Sequence, residues 1–285
     1  MTGVLYIVAT PIGNLDDISL RAISTLKAVE LIAAEDTRHS RQLLNHLGIE
    51  TRLLSCHQHN EQSRSVEILE KLAAGSDVAL ISDAGTPLIS DPGYRLVSAA
   101  QQQGIRVSPI PGANSAIAAL SAAGLPTDQF HFAGFLSAKS GERASQLQAL
   151  SELQGTLVLF ESGHRIERLL EQVAQVFPQC LCVVAKELTK LHEQFLRGSA
   201  ADLLQVFARD ARLTRGEFVV LIDNSPADVD RELDNDDVRT LEILLDEVSV
   251  KMAVKIAMRL TGKKKNEIYQ QALKLQSKKE SESQS

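Results

Sequence analysis

The feature that most constrains the fold is a regular alternation of short apolar runs with helical patterns between residues 4 and 223. The first apolar runs are VLYIVAT, ELIAA, RLLSC, DVALIS and IRVSPI, and they are separated by segments such as SVEILEKLAAG and GYRLVSAAQQQG. Strands that alternate with helices are typical of α/β proteins, whose strands form a largely parallel sheet. We therefore predict an α/β fold for this part of the chain.

A second series of apolar runs begins near residue 125 and indicates a second α/β domain. Its runs are FHFAGF, TLVLFE, CLCVVAKE and EFVVLID, and its helical patterns include HRIERLLEQVAQVF. Between the two series lies the small-residue segment PGANSAIAALSAAGLP, which predicts a helix that lines the contact between the domains. We place the N-terminal domain at residues 1–122 and the C-terminal domain at residues 123–224, with a cleft between them.

The balance of charge reverses sign within the last quarter of the chain. Residues 226–247 carry nine acidic residues against two arginines, whereas residues 251–279 carry eight lysines and Arg259 against Glu267 alone. Opposite charge blocks of this size indicate a separate small module. We predict an acidic linker and helix at 225–248, a basic helical module at 249–276 that resembles a helix–turn–helix, and a disordered tail at 277–285.

Composition narrows the possible classes of protein. No run approaches the ~20 apolar residues that a membrane span needs, and the chain does not begin like a secretory signal, so we expect a cytoplasmic protein without a membrane partner. The three cysteines suit neither a disulfide framework nor a zinc site, and His57 and His59 lack a third ligand, so we expect no metal. A net charge of −6 means that any contact with nucleic acid must be local.

Three loops combine glycine, proline and polar residues directly after predicted strands. They are TPIGN at residues 10–14, SDAGTP at 82–87, which continues to SDPG at 90–93, and PGANS at 111–115. Each alone is commonly a plain turn, but at successive strand ends they predict one shared ligand pocket. The chain lacks both G-x-G-x-x-G and the P-loop pattern, so an ordinary dinucleotide site and an NTPase are not supported.

Two further clusters bring ionisable residues to strand ends. In AAEDTR, Asp36 can cap a helix or, together with Glu35, serve in catalysis, and both interpretations remain open. In AKELTK, two lysines and a glutamate follow an apolar strand, where they can bind a phosphate or polarise a hydroxyl group. We take these five ionisable residues as catalytic candidates without ranking them: Glu35, Asp36, Lys186, Glu187 and Lys190.

Six motifs in one order carry a resemblance to a known family. They are LYIVATPIGNLDDISLRA, AAEDTRHS, SDAGTPLISDPGYRLV, PIPGANSAIAALSAAGLP, FESGHRI and KELTKLHEQFLRG. Together they resemble the ribosomal RNA small subunit methyltransferase I (RsmI) family of the tetrapyrrole methylases, over about residues 5–223. The resemblance implies a two-domain α/β homodimer that binds S-adenosylmethionine between its domains. The implied reaction is methylation of the ribose 2′-oxygen of cytidine 1402 in 16S rRNA, within the small ribosomal subunit.

The resemblance also implies a set of cofactor-binding residues, carried over motif by motif. They are Thr10, Pro11, Asp83, Thr86, Ser115, Ala116 and Phe160. Glycine- and alanine-rich loops suit such a pocket, because they allow the main chain to approach a nucleoside closely. The acceptor hydroxyl group is a poor nucleophile until its proton leaves, so a nearby carboxylate or lysine is expected.

Two other functions remain open from the sequence. Many tetrapyrrole methylases carry a glycine-rich first loop, where this chain has TPIG at residues 10–13, and this departure fits the RNA-modifying branch better. A methyltransferase acting on a corrin or porphyrin would explain the α/β domains equally well, but it has no use for the basic tail. A nucleic-acid-binding regulator with an inert α/β scaffold is the third interpretation, and two domains of pocket-forming loops weigh against it.

Overall fold

A computed structural model describes residues 2–225, 235–261 and 265–282 of the chain. The chain forms two compact units, which comprise residues 1–224 and 225–285. No helix in the described ranges is both long and apolar enough to cross a membrane.

The first sheet contains five strands, all parallel, in the order β3-β2-β4-β1-β5. The strands are β1 (Val4–Val8), β2 (Leu31–Ala34), β3 (Arg52–Ser55), β4 (Val78–Ile81) and β5 (Arg106–Ile110). They correspond to the five predicted apolar runs, which confirms the α/β class. Successive residues of a strand point to opposite faces of its sheet, and β2 is buried on both faces, so its sequence is continuously apolar.

Four helices cover the two faces of this sheet. They are α1 (Leu20–Ala28), α2 (Thr37–His46), α3 (Glu61–Ala73) and α4 (Tyr94–Gln102). Leu26 of α1 and Leu44 of α2 pack with Ile32 on one face, whereas Ile68 of α3 and Leu96 of α4 belong to the cluster on the other face. This doubly wound arrangement leaves the carboxyl ends of the strands free to carry loops.

Helix α5 (Ser115–Ala123) leads from the first sheet to the second. It begins at Asn114, whose side chain accepts a hydrogen bond from the Ile117 N–H group at 3.1 Å, and it ends at Gly124, whose φ is 64°. Its buried alanines pack against the second sheet in a cluster that also contains Ile12 from the first sheet's loops. The predicted helix therefore lies at the contact between the two sheets.

The second sheet has the order β6-β7-β10-β8-β9. Its strands are β6 (Phe130–Phe135), β7 (Gly155–Ser162), β8 (Cys182–Lys186), β9 (Gln194–Gly198) and β10 (Glu217–Asn224). Only the β6/β7 pair is parallel, and the remaining pairs are antiparallel. This sheet is thus mixed rather than largely parallel, because a short turn joins β8 directly to β9. The half-buried edge strand β9 is not among the predicted strands.

Three helices pack on the face of the second sheet opposite α5. They are α6 (Ser140–Ser151), α7 (Ile166–Val176) and α8 (Ala200–Arg209). Leu147, Leu170 and Phe207, one from each helix, are at most 1% exposed in the core that they share with β7 and β10. The second sheet is therefore also covered on both faces, and its strand ends remain available for a site.

The C-terminal unit consists of α9 (Asn235–Glu247), α10 (Val250–Thr261) and α11 (Lys265–Glu282) in its described residues. Leu241, Val254 and Ile268, one from each helix, belong to its small core. The two predicted helical patterns correspond to α10 and α11. The linker at 226–234 and the residues 262–264 of the predicted turn lie outside the described residues. Helix α11 as assigned includes residues 277–282, and residues 283–285 of the predicted disordered tail lie outside the described residues, so the tail stays a prediction.

Candidate active site

A cavity of about 400 Å³ lies between the carboxyl ends of the first sheet's strands and the inner side of the second sheet. The loops after β1, β2, β4 and β5 form one wall, and β6, β7, β8 and β10 with the turn after β8 form the other. The lining residues are Ile12, Glu35, Asp83, Ala84, Ile89, Ser90, Asp91, Ser115, Phe135, Phe160, Glu161, Ser162, Ala185, Leu188, Glu217, Phe218 and Val219. Every predicted glycine-containing loop of the first sheet contributes at least one lining residue.

Hydrogen bonds fix the three predicted loops against one another. The Thr10 N–H group donates to the Gly85 carbonyl oxygen at 2.9 Å, and the Gly85 N–H group donates back to the Thr10 carbonyl oxygen at 3.0 Å. The Thr86 hydroxyl group donates to the Ala113 carbonyl oxygen at 3.1 Å and so joins the third loop. The loops after β1, β4 and β5 thus form one connected wall.

The residues predicted to bind the cofactor fall into two groups. Asp83, Ser115 and Phe160 line the cavity directly. The other four lie behind the cavity wall and determine its shape. Thr10 and Thr86 do so through the hydrogen bonds just described. Pro11 is buried next to a lining residue, and Ala116 belongs to the cluster beneath α5. Three of the seven predicted cofactor-binding residues can therefore contact a ligand directly with their side chains.

Among the catalytic candidates, Glu35 lines the cavity and Asp36 does not. Asp36 precedes α2, where its Oδ1 atom accepts a hydrogen bond from the Arg38 N–H group at 2.8 Å and its Oδ2 atom lies 3.3 Å from the Arg38 guanidinium. This geometry favours the helix-capping interpretation of Asp36. Its own N–H group donates to Oδ1 of Asp83 at 3.0 Å and thereby orients that carboxylate.

Glu187 and Lys190 belong to an ion-pair network beside the cavity. The Lys190 ammonium group lies 3.0 Å from Oε1 of Glu187 and 2.9 Å from Oε2 of Glu217, of which only Glu217 lines the cavity. Burial opposes the charged form of both groups, but hydrogen bonds prevail. The Glu217 N–H group and the Lys190 ammonium group lower the pKa of Glu187, and the carboxylates of Glu217 and Glu187 raise the pKa of Lys190. Both groups stay charged at neutral pH and hold the β8–β9 turn against β10.

Lys186 is the last residue of β8 and is only 7% exposed. It pairs in register with Phe218 of β10, but Lys186 is not among the residues that line the cavity. Its strand neighbour Ala185 faces the cavity instead, as expected where side chains alternate between the two faces of a sheet.

Three carboxylates from the first sheet's loops share the cavity wall: Glu35, Asp83 and Asp91. Burial raises the pKa of Glu35, and the nearby charges of Asp91 and Asp83 raise it further. A hydrogen bond from the Asp83 backbone lowers this pKa but does not cancel the increase. Burial also raises the pKa of Asp91, which a hydrogen bond with Ser82 opposes. Asp91 is not a predicted site residue, although it belongs to the SDPG continuation of the second loop.

Glu161 is a second lining carboxylate that is not among the predicted site residues. It is 2% exposed, its Oε1 atom accepts the Ser162 N–H group at 2.8 Å, and it lies 3.1 Å from Nε of Arg165. Its Oε2 atom is buried without a hydrogen-bond partner. The FESGHRI motif contains both charged residues four positions apart, and this spacing at a strand end is the signal from which the pair could be predicted.

The lining combines apolar walls with an excess of negative charge. Ile12, Ile89 and Leu188 supply aliphatic surface, and the rings of Phe135 and Phe160 meet edge to face with centroids 5.5 Å apart. The five lining carboxylates are Glu35, Asp83, Asp91, Glu161 and Glu217, and no lysine, arginine or histidine belongs to the described lining. In the described part of the chain no group of three or more His, Cys, Asp or Glu side chains could hold a metal ion. Such a cavity suits a mostly apolar ligand that carries positive charge.

Comparison with known proteins identifies the class to which this fold and cavity belong. Residues 4–204 match the family model of the tetrapyrrole (corrin/porphyrin) methylases. Among solved structures, diphthine synthase superimposes with a TM-score of 0.61 at 16% identity, over 77% of this chain and 89% of that one. Cobalt precorrin-4 methyltransferase gives a TM-score of 0.58 at 18% identity, over 78% and 96% of the two chains. The chain is therefore a methyltransferase of the tetrapyrrole methylase fold.

Curated relatives define the particular family. Proteins called ribosomal RNA small subunit methyltransferase I are 50% identical in Pseudomonas aeruginosa, over 97% of this chain and 99% of that one, and 47% identical in Escherichia coli O157:H7, over 96% of both. Residues 225–276 also match the model of the RsmI C-terminal HTH domain. The chain belongs to the ribosomal RNA small subunit methyltransferase I family, as its motifs predict.

Proposed function

We propose that the protein transfers a methyl group from S-adenosylmethionine to the ribose 2′-oxygen of cytidine 1402 in 16S rRNA. The observation that carries this proposal is the acidic, apolar-walled cavity at the strand ends of a chain that belongs to the small-subunit methyltransferase family. In this proposal the domains are residues 1–122 and 123–224, the cleft between them binds the cofactor, and the reaction takes place in the cytoplasm, where small ribosomal subunits are made.

The charge and shape of the cavity suit S-adenosylmethionine. A sulfonium and an ammonium group outweigh the single carboxylate of this cofactor, so it carries net positive charge. Of the five carboxylates that line the described cavity, Glu161 and Glu217 pair with Arg165 and Lys190, and Glu35, Asp83 and Asp91 remain to face the ligand. Asp83, Ser115 and Phe160 would contact the cofactor, whereas Thr10, Pro11, Thr86 and Ala116 would hold the loops at their present spacing. The aromatic pair Phe135–Phe160 offers apolar surface for a purine ring.

Glu35 is the candidate that the geometry favours for removing the acceptor's proton. The bound cofactor supplies an electrophilic methyl carbon, and the acceptor hydroxyl group has to lose its proton as it attacks. A carboxylate whose pKa is raised accepts a proton at neutral pH more readily than an ordinary one, and Glu35 meets this condition within the cavity. Glu187 and Lys190 would act indirectly, because their ion pairs hold the turn after β8 in place. Lys186 would support the same turn through its charge, which helps to lower the pKa of Glu187.

The C-terminal unit would supply additional contact with RNA. Lys251, Lys255 and Arg259 are exposed and recur every four residues along α10, so they form one cationic stripe, whereas Ala253 and Ala257 face the unit's own core. A stripe of this kind suits phosphate groups. Among the other basic residues of the module, Lys263 and Lys264 lie outside the described residues, and only the backbone of Lys265 is described.

Exposed leucines support the proposal of a homodimer. Leu191 in the β8–β9 turn is 92% exposed and Leu20 at the start of α1 is 85% exposed. Their segments are joined by a hydrogen bond from the Asn14 N–H group to the Thr189 hydroxyl group, at 3.1 Å. A contiguous exposed apolar patch is typical of protein–protein contacts, so the dimer contact that we propose would bring both leucines into one interface. Sedimentation of wild type and Leu191→Glu tests this point, since a dimer built on this face would dissociate in the variant.

Two experiments separate this proposal from the alternatives. Equilibrium titration with S-adenosylmethionine distinguishes an enzyme from a nucleic-acid-binding regulator, because only the enzyme needs to bind the cofactor. Methyl transfer from the cofactor to purified small subunits, compared with transfer to a corrin or porphyrin precursor, distinguishes RNA from a macrocycle. We expect tight cofactor binding and transfer to the small subunit, and transfer only to a macrocycle would contradict the proposal.

A further inference from the structure

A second cavity, of about 340 Å³, lies on the C-terminal sheet's helical layer, where α6 and α7 pack together. Its lining residues are Ala138, Ser140, Arg143, Arg168, Glu171 and Gln172. It shares no residue with the cavity at the strand ends. The lining contains two arginines and one glutamate, so its net charge is positive, in contrast to the acidic cavity described above.

Arg143 is the unusual member of this lining, because it is a buried cation without a counter-ion. It is 4% exposed, and within the described residues the only hydrogen bond from its side chain runs from Nε to Oε1 of Gln172. No carboxylate of the described chain forms an ion pair with it. Burying an unpaired charge is costly, so an anion in the cavity would stabilise this arrangement.

The neighbours of Arg143 are arranged as supports for such an anion. The Gln172 side-chain amide donates to the Ser140 carbonyl oxygen at 3.1 Å and to the Ser140 hydroxyl oxygen at 3.0 Å, which fixes the amide that holds Arg143. Arg168 is exposed on α7 and lines the same cavity. Two guanidinium groups beside one cavity suit the tetrahedral oxygens of a phosphate group, which arginine binds in a bidentate manner.

A short segment of the chain connects the second cavity to the first. Ala138 follows Phe135, which lines the first cavity, by three residues, a separation of at most about 11 Å between Cα atoms. The connecting segment is held by Arg165, which donates to the Leu136 carbonyl oxygen at 2.7 Å and forms the ion pair with Glu161. The rims of the two cavities are therefore close to each other at this segment, so a phosphate in the second cavity would belong to the RNA strand whose nucleotide enters the first.

We propose that the cavity lined by Arg143 and Arg168 binds a phosphodiester group of the RNA substrate close to the methylated nucleotide. This inference rests on the proposed function. The acidic first cavity repels phosphates, so an RNA strand that places a ribose there needs a positive anchor outside it. The Arg143–Arg168 cavity supplies that anchor within the same compact unit as the catalytic cavity.

Steady-state methyl transfer to small subunits that lack the modification tests the proposal, with variants Arg168→Gln and Arg143→Lys. Arg168 is exposed, so its variant folds normally, and Arg143→Lys keeps the charge but loses the guanidinium fork. Exposed Arg106 at the start of β5 lies at the opposite end of the first sheet and gives the matched control Arg106→Gln. Thermal unfolding and cofactor titration of each variant verify its fold.

We expect Arg168→Gln and Arg143→Lys to raise the KM for small subunits roughly fivefold to tenfold at low salt, with kcat and cofactor affinity near those of the wild type. For Arg168→Gln the slope of log affinity against log salt should fall by about 0.7–0.9, as one phosphate contact is lost. A KM equal to that of Arg106→Gln at low salt overturns the proposal.

Inorganic phosphate separates the two sources of a phosphate group. If phosphate raises the melting temperature of the wild type but not of Arg168→Gln, while both have the same KM for small subunits, the cavity binds free anions only and the proposal is wrong. If the wild-type protein transfers no methyl group to small subunits, the proposed function itself fails, and this inference fails with it. The two failures are therefore distinguishable.

Discussion

Thr10 and Gly85 exchange two backbone hydrogen bonds, of 2.9 and 3.0 Å, and so join the loop after β1 to the loop after β4. The Thr10 hydroxyl group adds a bond of 3.2 Å to the Ser82 carbonyl oxygen from the same β4 loop. The two loops contribute Ile12 and Asp83 to the proposed cofactor cavity. The spacing of the cavity wall therefore depends on this contact.

Gly85→Ala should weaken both folding and cofactor binding. Gly85 has a φ of 79°, which L-residues rarely adopt, and an added Cβ would lie 3.3 Å from Ile12 Cγ2. We expect a loss of about 1–2 kcal/mol in the free energy of unfolding and a weaker affinity for S-adenosylmethionine, measured by denaturation and calorimetry. Gly48→Ala is the matched control, since its φ is 62° with nothing within 4 Å. It should lose stability but bind normally, and normal binding by Gly85→Ala would contradict the account.

Asp83→Asn should lower the affinity for S-adenosylmethionine roughly tenfold, because it removes one of the lining carboxylates that face a cationic ligand. The Asn side chain can still accept the Asp36 N–H group, so the loop should keep its conformation. Calorimetric titration measures the affinity, and exposed Asp17→Asn serves as the control. Wild-type affinity in Asp83→Asn would remove this residue from the cofactor site.

Glu35→Gln should reduce turnover roughly 100-fold while the cofactor affinity changes little, which is the pattern for a general base. Asp36→Asn removes the neighbouring carboxylate but keeps a side chain that caps helices, so turnover should stay near that of the wild type. Single-turnover methyl transfer distinguishes the two variants. If Asp36→Asn loses turnover and Glu35→Gln does not, the roles of the two residues are reversed.

The raised pKa of Glu35 also predicts two opposite pH dependences. Turnover should fall as the pH decreases through that raised pKa, since the base becomes protonated. Because the folded state binds this proton more tightly than the unfolded state, the contribution of Glu35 to stability is present below its ordinary pKa of about 4.3 and is lost as the pH rises through the raised value. Above that pH, Glu35→Gln should be at least as stable as the wild type in thermal unfolding.

Thiol labelling should report the packing of both sheets. Burial raises the pKa of Cys56 to about 11 and that of Cys182 to about 12, so neither forms a thiolate at neutral pH. Cys180 is half-buried and more accessible. We expect iodoacetamide to label the native protein mainly at Cys180 and all three cysteines after denaturation, as determined by mass spectrometry. Rapid native labelling of Cys182 would contradict its position in the core.

Truncation after Ser225 should separate RNA binding from cofactor binding. β10 ends at Asn224, so this truncation leaves the first compact unit whole and removes the cationic stripe of α10. We expect unchanged affinity for S-adenosylmethionine and a weaker affinity for small subunits, and the difference should shrink as the salt concentration rises. Equal affinity for small subunits with and without residues 226–285, at low salt, would exclude the C-terminal unit as an RNA-binding element.

The sequence predicts the first sheet and its loops well, because its strands are short apolar runs, of which β2 and β4 are buried on both faces, and three of the runs lead into glycine-containing loops. The catalytic set is less predictable. Lys186 and Ala185 are adjacent in the chain, and only the packing of the second sheet shows that Ala185, which belongs to the cluster beneath α5, faces the cavity. Glu161 lies at the same cavity because of the register in which β7 pairs with β10, and these two strands are distant in the sequence.

The turn after β8 is a second feature that the sequence does not predict. Glu187 and Thr189 both have positive φ, at 51° and 63°, a conformation that neither residue type indicates from its sequence. The turn becomes stable through tertiary contacts, since the Lys190 ammonium group bridges Glu187 and Glu217, which are thirty residues apart. Glu187 and Lys190, which are catalytic candidates from the sequence, thus take part in an ion-pair network in the fold, and their part in catalysis stays a prediction.

The acidic cavity, in the function proposed for it, serves methylation of the small-subunit RNA. The most direct measurement is transfer of labelled methyl groups from S-adenosylmethionine to small subunits that lack the modification, followed by mapping of the labelled nucleotide. We expect label on the ribose 2′-oxygen of cytidine 1402, and we expect Glu35→Gln to incorporate this label roughly 100-fold more slowly than the wild type. Label at another nucleotide, or no transfer to small subunits by a protein that binds the cofactor, would contradict it.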